Sequence, residues 1–195
     1  MKTAIEQWRV FIAIELPSNV CKRIADHIDG LRGSVPDARA SWSREDNLHL
    51  TLKFLGDIPI PNVEQLSAAA SIAASKVEPF EIFIEGCGAF PLKGQPRVLW
   101  IGIGDPPSKL SELNRALEDE CTNAGFAREP RVFNPHLTIA RMRQPRGSRQ
   151  LAAVHKELGF SREAISVSGL AVIRSELRSE GARHTVISRH RLRLS

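Results

Sequence analysis

The chain has 195 residues, 42% hydrophobic and 25% charged, with 27 Lys+Arg against 22 Asp+Glu for a formal net charge of +5. This composition excludes a disordered tract, and the length suits one packed domain or one domain of two similar halves. The charge is uneven: residues 1–130 hold 14 basic and 18 acidic side chains, whereas residues 131–195 hold 13 basic, all but Lys156 being Arg, and 4 acidic. An Arg-rich C-terminal third points to an anionic partner, because the guanidinium suits bidentate contact with phosphate. Cys21, Cys87 and Cys121 are widely spaced with no C-x-x-C pair, so neither a disulfide framework nor a zinc knuckle is expected. No apolar run reaches membrane-spanning length, and Glu6, Arg9 and Glu15 break up the N-terminal stretch where a secretory segment would lie. A reduced, cytoplasmic protein with no membrane partner is expected.

Arg9–Leu16 is β-branched and apolar and stops at Pro17, which predicts a buried strand. Ser18 then caps a helix over about 19–32, ended by Gly30 and Gly33. A strand over 48–55 closes at Gly56, a helix follows Pro61 to about 77, and 80–85 alternates as a strand. The pattern then restarts. Arg97–Ile103 echoes Arg9–Ile14 at an offset of 88, a helix runs from Ser108 to about 123 before Gly125, and a strand covers 135–141. A helix at 148–158 and a strand at 165–168 follow, the latter echoing 82–86 at an offset of 83, and two last strands cover 170–177 and 183–192 around Glu180-Gly181. Three echoes in the same order imply internal duplication. The expected fold is therefore α+β with two similar lobes in a single domain over 1–195, the first repeat at about 9–86, the second at about 97–169, and strands 170–192 completing it.

The sharpest signal lies inside that duplication. Arg44-Glu-Asp-Asn47-Leu-His49-Leu-Thr51-Leu52 is answered by Arg131-Val-Phe-Asn134-Pro-His136-Leu-Thr138-Ile139, with the histidines 87 residues apart. On a strand, His49 and Thr51 project to one face while Leu50, Leu52 and Phe54 project to the other, and His136 and Thr138 do likewise above Leu137 and Ile139. Two imidazoles near neutral pH supply a general acid and a general base, and two hydroxyls are neutral donors suited to non-bridging phosphate oxygens. That is equipment for phosphodiester chemistry without a metal. Two histidines make only half a tetrahedral site, and neither motif contains a Cys or a carboxylate, so no metal is expected there. His27, His155, His184 and His190 lack partner spacing and are read as solvated or capping. The chain has no phosphate-binding G-x-x-x-x-G-K-[ST] loop and no G-x-S-x-G elbow, and nothing in it suggests a nucleotide, flavin or nicotinamide cofactor.

The paired tetrads His49-Leu-Thr-Leu52 and His136-Leu-Thr-Ile139 resemble those of the two-histidine (2H) phosphoesterases. With Phe11–Pro17, Lys53–Gly56, Pro96–Trp100, Asn134–Arg141 and Arg174–Gly181, the chain resembles their RNA 2′,3′-cyclic phosphodiesterase branch, historically called 2′-5′ RNA ligases. The resemblance implies two antiparallel sheets facing a central groove. It also implies hydrolysis of a 2′,3′-cyclic phosphodiester end to a 2′-phosphomonoester without any cofactor. His49 would be the proton donor and His136 the acceptor, with Thr51 and Thr138 holding the phosphate. Reversal with a 5′-hydroxyl in place of water accounts for the ligase name. The implied partners are RNA with cyclic-phosphate ends, tRNA fragments included, or small cyclic nucleotides, and a monomer is expected.

Two further readings stay open: a non-catalytic RNA-end-binding module, and a phosphodiesterase for another small 2′-5′ or cyclic phosphodiester. Around the groove, Arg141 and Arg143 open an Arg-rich loop suited to an RNA backbone, and Phe11 and Trp42 are candidates to stack a base. Strict alternation puts Arg141 on the face of Leu137 unless the strand ends or bulges at Ala140. Where many relatives have Tyr after the C-terminal glycine, this chain has His184. If the sequence halves are the lobes, the C-terminal half would form the more positive wall.

Overall fold

In a computed structural model, which describes residues 6–179 and 181–193, the described residues form nine strands and four α-helices. They are β1 (Gln7–Glu15), α1 (Ser18–Ser34), β2 (Ala40–Trp42), β3 (His49–Pro59), α2 (Asn62–Ala74), β4 (Phe80–Phe90) and β5 (Val98–Gly104). Then come α3 (Lys109–Asn123), β6 (His136–Met142), α4 (Ser148–Leu158), β7 (Glu163–Val167), β8 (Gly169–Arg178) and β9 (Gly181–Arg191). Among the described residues, no helix is long and apolar enough to cross a membrane. Glu180, half of the expected last turn, lies outside the described residues.

Two features differ from the sequence expectation for local reasons. Helix α1 runs through Gly30 and Gly33 to Ser34, because Ile24, Ile28 and Leu31 keep its buried stripe going and outweigh the glycine cost. No side chain caps it. Helix α3 is capped by Asp105, not Ser108: the Asp105 carboxylate accepts the Leu110 and Ser111 N–H groups at 3.1 and 3.0 Å.

The strands form two antiparallel sheets, ordered β3-β1-β8-β9 and β2-β6-β5-β4-β7. The lobes are therefore not the two sequence halves. β4, expected in the first repeat, sits in the second sheet between β5 and β7, and the C-terminal β8 takes the corresponding place beside β1. The echo between 82–86 and 165–168 thus marks two strands that pair with each other, Ile82 opposite Ile165. Val10, Ile12, Ile14, Leu50 and Leu52 from the first sheet and Leu99, Ile101, Leu137 and Ile139 from the second share one buried core. The opposite face of the first sheet carries a small apolar floor of Phe11, Ala13, Ala171 and Ile173, with Val186 beside it.

Candidate active site

Strands β1 and β3 pair with Glu15 opposite His49, Ala13 opposite Thr51, Ile12 opposite Lys53 and Phe11 opposite Phe54. Strands β5 and β6 repeat this register, with Gly102 opposite His136, Trp100 opposite Thr138, Leu99 opposite Ala140 and Val98 opposite Arg141. The equivalence is 87 residues throughout, one less than the Arg9/Arg97 echo. Each lobe has a bulge at the same place, Leu52 in β3 and Ile139 in β6, where one extra residue lets the alternation slip. Beyond it, Lys53 and Ala140 turn inward and are buried. Phe54 and Arg141 turn outward, onto the side of the histidines and threonines. Phe54, expected in the core, is accordingly 46% exposed. Arg141 reaches the groove face through the bulge that strict alternation lacks.

His49, Thr51, His136 and Thr138 all project away from the shared core, along the seam where β3 and β6 approach each other. The Nδ1 of His49 lies 2.7 Å from the Asn47 carbonyl, and that of His136 lies 2.7 Å from the Asn134 carbonyl. A carbonyl only accepts, so each Nδ1–H donates and each Nε2 is left for the groove. The Asn of each R-x-x-N-x-H motif thus holds its histidine through its backbone. The Asn47 side chain meanwhile donates to the Ala182 carbonyl at 2.7 Å, tying the approach to β3 onto β9.

Aromatic rings fix both imidazoles. Phe11 stacks on His49 at 4.5 Å between centroids, and His184 meets His49 edge-on at 5.2 Å. Phe90 meets His136 edge-on at 5.1 Å and packs against Trp100 at 5.2 Å. Gly88 makes room for that indole: a Cβ there would fall 2.2 Å from a Trp100 ring carbon. Burial pushes His49 down to about 4; the Nδ1 hydrogen bond opposes this and the neighbouring His184 adds to it. His184 is also lowered by burial, with Asp46 opposing. A cavity of about 630 Å³ opens beside His49, bordered by Arg44, Asn47, Ile173, His184 and Val186, and falls within the usual size of small-molecule sites (about 300–1,000 Å³).

The remaining candidates separate. Phe11 is 3% exposed, so its ring seats His49 and offers little face to a base. Trp42 lies opposite the buried Ala140, on the core side of the second sheet, with the Arg32 guanidinium 5.4 Å above its ring. It does not join the groove. Arg143 is exposed just beyond β6, its N–H donating to the Arg39 carbonyl at 2.8 Å and its side chain 3.3 Å from Ser41 Oγ. The basic C-terminal residues divide between the sheets. Arg174, Arg178 and Arg189 lie on β8 and β9 of the first and pair with Glu176 or Glu15, while Arg141 lies on β6 of the second. The expected positive wall is thus split, because the chain returns to the first sheet after β7.

His184, expected to be solvated or capping, lies against His49 and borders the cavity; only the pairing of β8 with β9 and β1 brings it there, and no spacing along the chain encodes that. His27 and His155, also read as solvated or capping, lie 3.0 Å apart nitrogen to nitrogen under the second sheet, with His155 fully buried.

Two antiparallel sheets that each set a His-x-Thr strand on one groove define a 2H phosphoesterase. The chain matches the LigT like Phosphoesterase family twice, over residues 14–100 and 101–183, and it belongs to that family. An RNA 2′,3′-cyclic phosphodiesterase of Methanothermobacter thermautotrophicus is 34% identical over 94% of this chain and 98% of its own length. Among solved structures, TT0787 of Thermus thermophilus superposes with a TM-score of 0.76 at 26% identity, covering 95% of this chain and 98% of that one. Escherichia coli LigT complexed with 3′-AMP superposes at 0.72 and 26% identity, over 96% and 99% of the two chains.

Proposed function

We propose that this protein hydrolyses 2′,3′-cyclic phosphodiester ends of RNA to 2′-phosphomonoesters, using His49 as proton donor and His136 as proton acceptor. The observation that carries this reading is the repeated register: two His-x-Thr pairs on one side of the fold, each Nδ1 tied to a carbonyl and each Nε2 without a hydrogen-bond partner among the described residues. The names of the relatives support the substrate class.

In this mechanism the Nε2 of His136 takes a proton from water as its oxygen attacks phosphorus. The P–O3′ bond breaks, and the Nε2–H of His49 delivers its proton to O3′. The product is a 2′-phosphate with a free 3′-hydroxyl. The histidines end with exchanged protonation states and reset through solvent. Thr51 and Thr138 donate to the non-bridging oxygens, whose charge grows as water adds. These four side chains cover every proton and charge of the step. A 5′-hydroxyl replacing water would give a 2′-5′ linkage by the same route. The cavity beside His49 receives the terminal nucleoside, and Arg141 meets a backbone phosphate.

A panel of nucleoside 2′,3′-cyclic phosphates and cyclic-phosphate-ended RNA, with products identified by phosphorus NMR, tests this. The 2′-monophosphate is expected, and a 3′-monophosphate overturns the regiochemistry. Equal affinity for 3′-hydroxyl and cyclic-phosphate ends, with no turnover, would instead identify an RNA-end-binding module.

A further inference from the structure

We propose that His27, Cys87 and His155 form a zinc-binding site beneath the second sheet, separate from the groove. Their ligand atoms, one from each side chain, all lie within 4.8 Å of one another. Tetrahedral zinc needs ligand-to-ligand edges of about 3.3–3.6 Å, given Zn–N near 2.0–2.1 Å and Zn–S near 2.3 Å. The three side chains would close on the ion by about 1 Å at most to reach those edges.

Three elements far apart in sequence bring these residues together. His27 sits on α1, His155 on α4 and Cys87 on β4. Cys87 faces the helices because β4 bulges at Gly86, whose φ is +73° and whose N–H donates to the Phe160 carbonyl at 3.1 Å. This slip sets Cys87 opposite the buried Ile101, on the helix-covered side.

The histidines are already oriented as ligands. His155 Nε2 lies 3.0 Å from the Trp100 carbonyl and must donate to it, so its Nδ1 presents a lone pair. That lone pair faces His27 Nε2 at 3.0 Å, where without a metal the two rings share one hydrogen bond. A metal-binding histidine commonly has its second ring nitrogen fixed by a carbonyl in this way. His155 is fully buried, while His27 and Cys87 are partly exposed, which leaves an entry path. One thiolate and two imidazoles suit zinc, with the fourth position open to water.

Binding balances simply. The Cys87 thiol gives its proton to solvent, the His27 ring proton moves from Nε2 to Nδ1, and three bonds to zinc form. The bound ion would pin α1 to α4 and β4, and through the Trp100 carbonyl to β5.

The test uses the full chain, stripped with chelator and titrated with Co²⁺ and Zn²⁺. One equivalent of Co²⁺ per chain should give a near-ultraviolet thiolate-to-metal absorption band that zinc abolishes, and zinc should raise the Tm. Cys87→Ser should lose the band and at least tenfold in zinc affinity, and His27→Asn should weaken both. His49→Ala and His136→Ala should leave binding unchanged. No band, a band that survives C87S, or binding lost with the groove histidines overturns the site. If C87S fails to fold by circular dichroism, H27N decides: unchanged zinc affinity in that variant overturns it.

Discussion

Phe54 and Arg141 occupy the same position in the two lobes, each opposite a β1 or β5 residue and each turned onto the groove side by a bulge two residues earlier. One lobe offers an aromatic ring, capped by the Arg9 guanidinium 4.8 Å away, and the other an exposed guanidinium. The groove is therefore pseudo-symmetric in its chemistry and asymmetric at its rim. Arg141→Ala should weaken binding of cyclic-phosphate RNA several nucleotides long and lower the slope of log K against log salt by about 1. Turnover of a mononucleoside cyclic phosphate should change little. An unchanged salt slope would remove Arg141 from the RNA path.

His49→Ala and His136→Ala should each lower kcat by about 10²–10⁴, the range for a lost general acid or base. Replacing either Thr51 or Thr138 by Val removes one donor to the phosphate and should cost about 10²–10³. The paired losses should be far from additive, because the groups act as a unit. Both histidines lie outside the buried core, so Tm should hold within a few degrees in either single variant. Turnover of Cys87→Ser, which lacks the thiolate of the proposed zinc site, should be indifferent to EDTA, and chelator-sensitive turnover in that variant would contradict the metal-free step.

Phe11 is expected to act through His49, on which its ring stacks. Phe11→Leu keeps a hydrophobic side chain of similar volume, at a cost of less than about 1.5 kcal/mol, but removes the ring stacked on the imidazole at 4.5 Å. A fall of roughly three- to tenfold in kcat with little change in KM is expected if the ring orients the proton donor. A change confined to KM would mark Phe11 as a substrate contact.

The pH behaviour of His49 follows from its burial. With a value near 4, the ring is neutral in the free protein at pH 7, yet the proposed role needs it charged. A bound phosphodiester supplies a negative charge within reach of Nε2 and pulls the value upward. An NMR titration should therefore place His49 near 4 in the free protein and clearly higher with 3′-AMP bound. The stability effect has a definite sign. Since the folded value lies below that of a free imidazole, about 6.5, the contribution is present above pH 6.5 and is lost as pH falls toward 4. Over that window, the stability of the native chain relative to His49→Gln should fall on acidification. A flat difference would contradict the buried, neutral ring.

Much of this site was legible because it depends on local rules. Strand periodicity puts His49 with Thr51 and His136 with Thr138, and repetition makes the pairs stand out. The cross-strand part was not legible. A bulge is a property of two strands in register, so nothing within His49–Phe54 reveals that Phe54 faces out and Lys53 in. His184 meets His49 only because β8 and β9 return to the first sheet, and the same return leaves β4 in the second. His27 and His155 are 128 residues apart, on helices whose packing decides their contact.

Lys53 shows the energetic side of the same bulge. Turned inward, its ammonium lies 2.7 Å from a Glu118 carboxylate oxygen and donates to the Ala127 carbonyl at 2.9 Å, with the side chain 1% exposed. Glu118 also accepts the Glu129 N–H at 3.1 Å, so the pair fastens α3 and the segment after it to β3, the strand that carries His49. Removing one partner of a buried pair leaves an uncompensated charge and costs about 3–5 kcal/mol, whereas replacing both with apolar residues of similar volume is often close to neutral. Lys53→Met should therefore lower Tm by roughly 6–20 °C, at about 2–4 °C per kcal/mol for a chain of this size. The double variant Lys53→Met with Glu118→Leu should recover most of that loss. A single variant that melts within 2 °C of the native chain, as a rough threshold, would show that the pair adds nothing to holding β3.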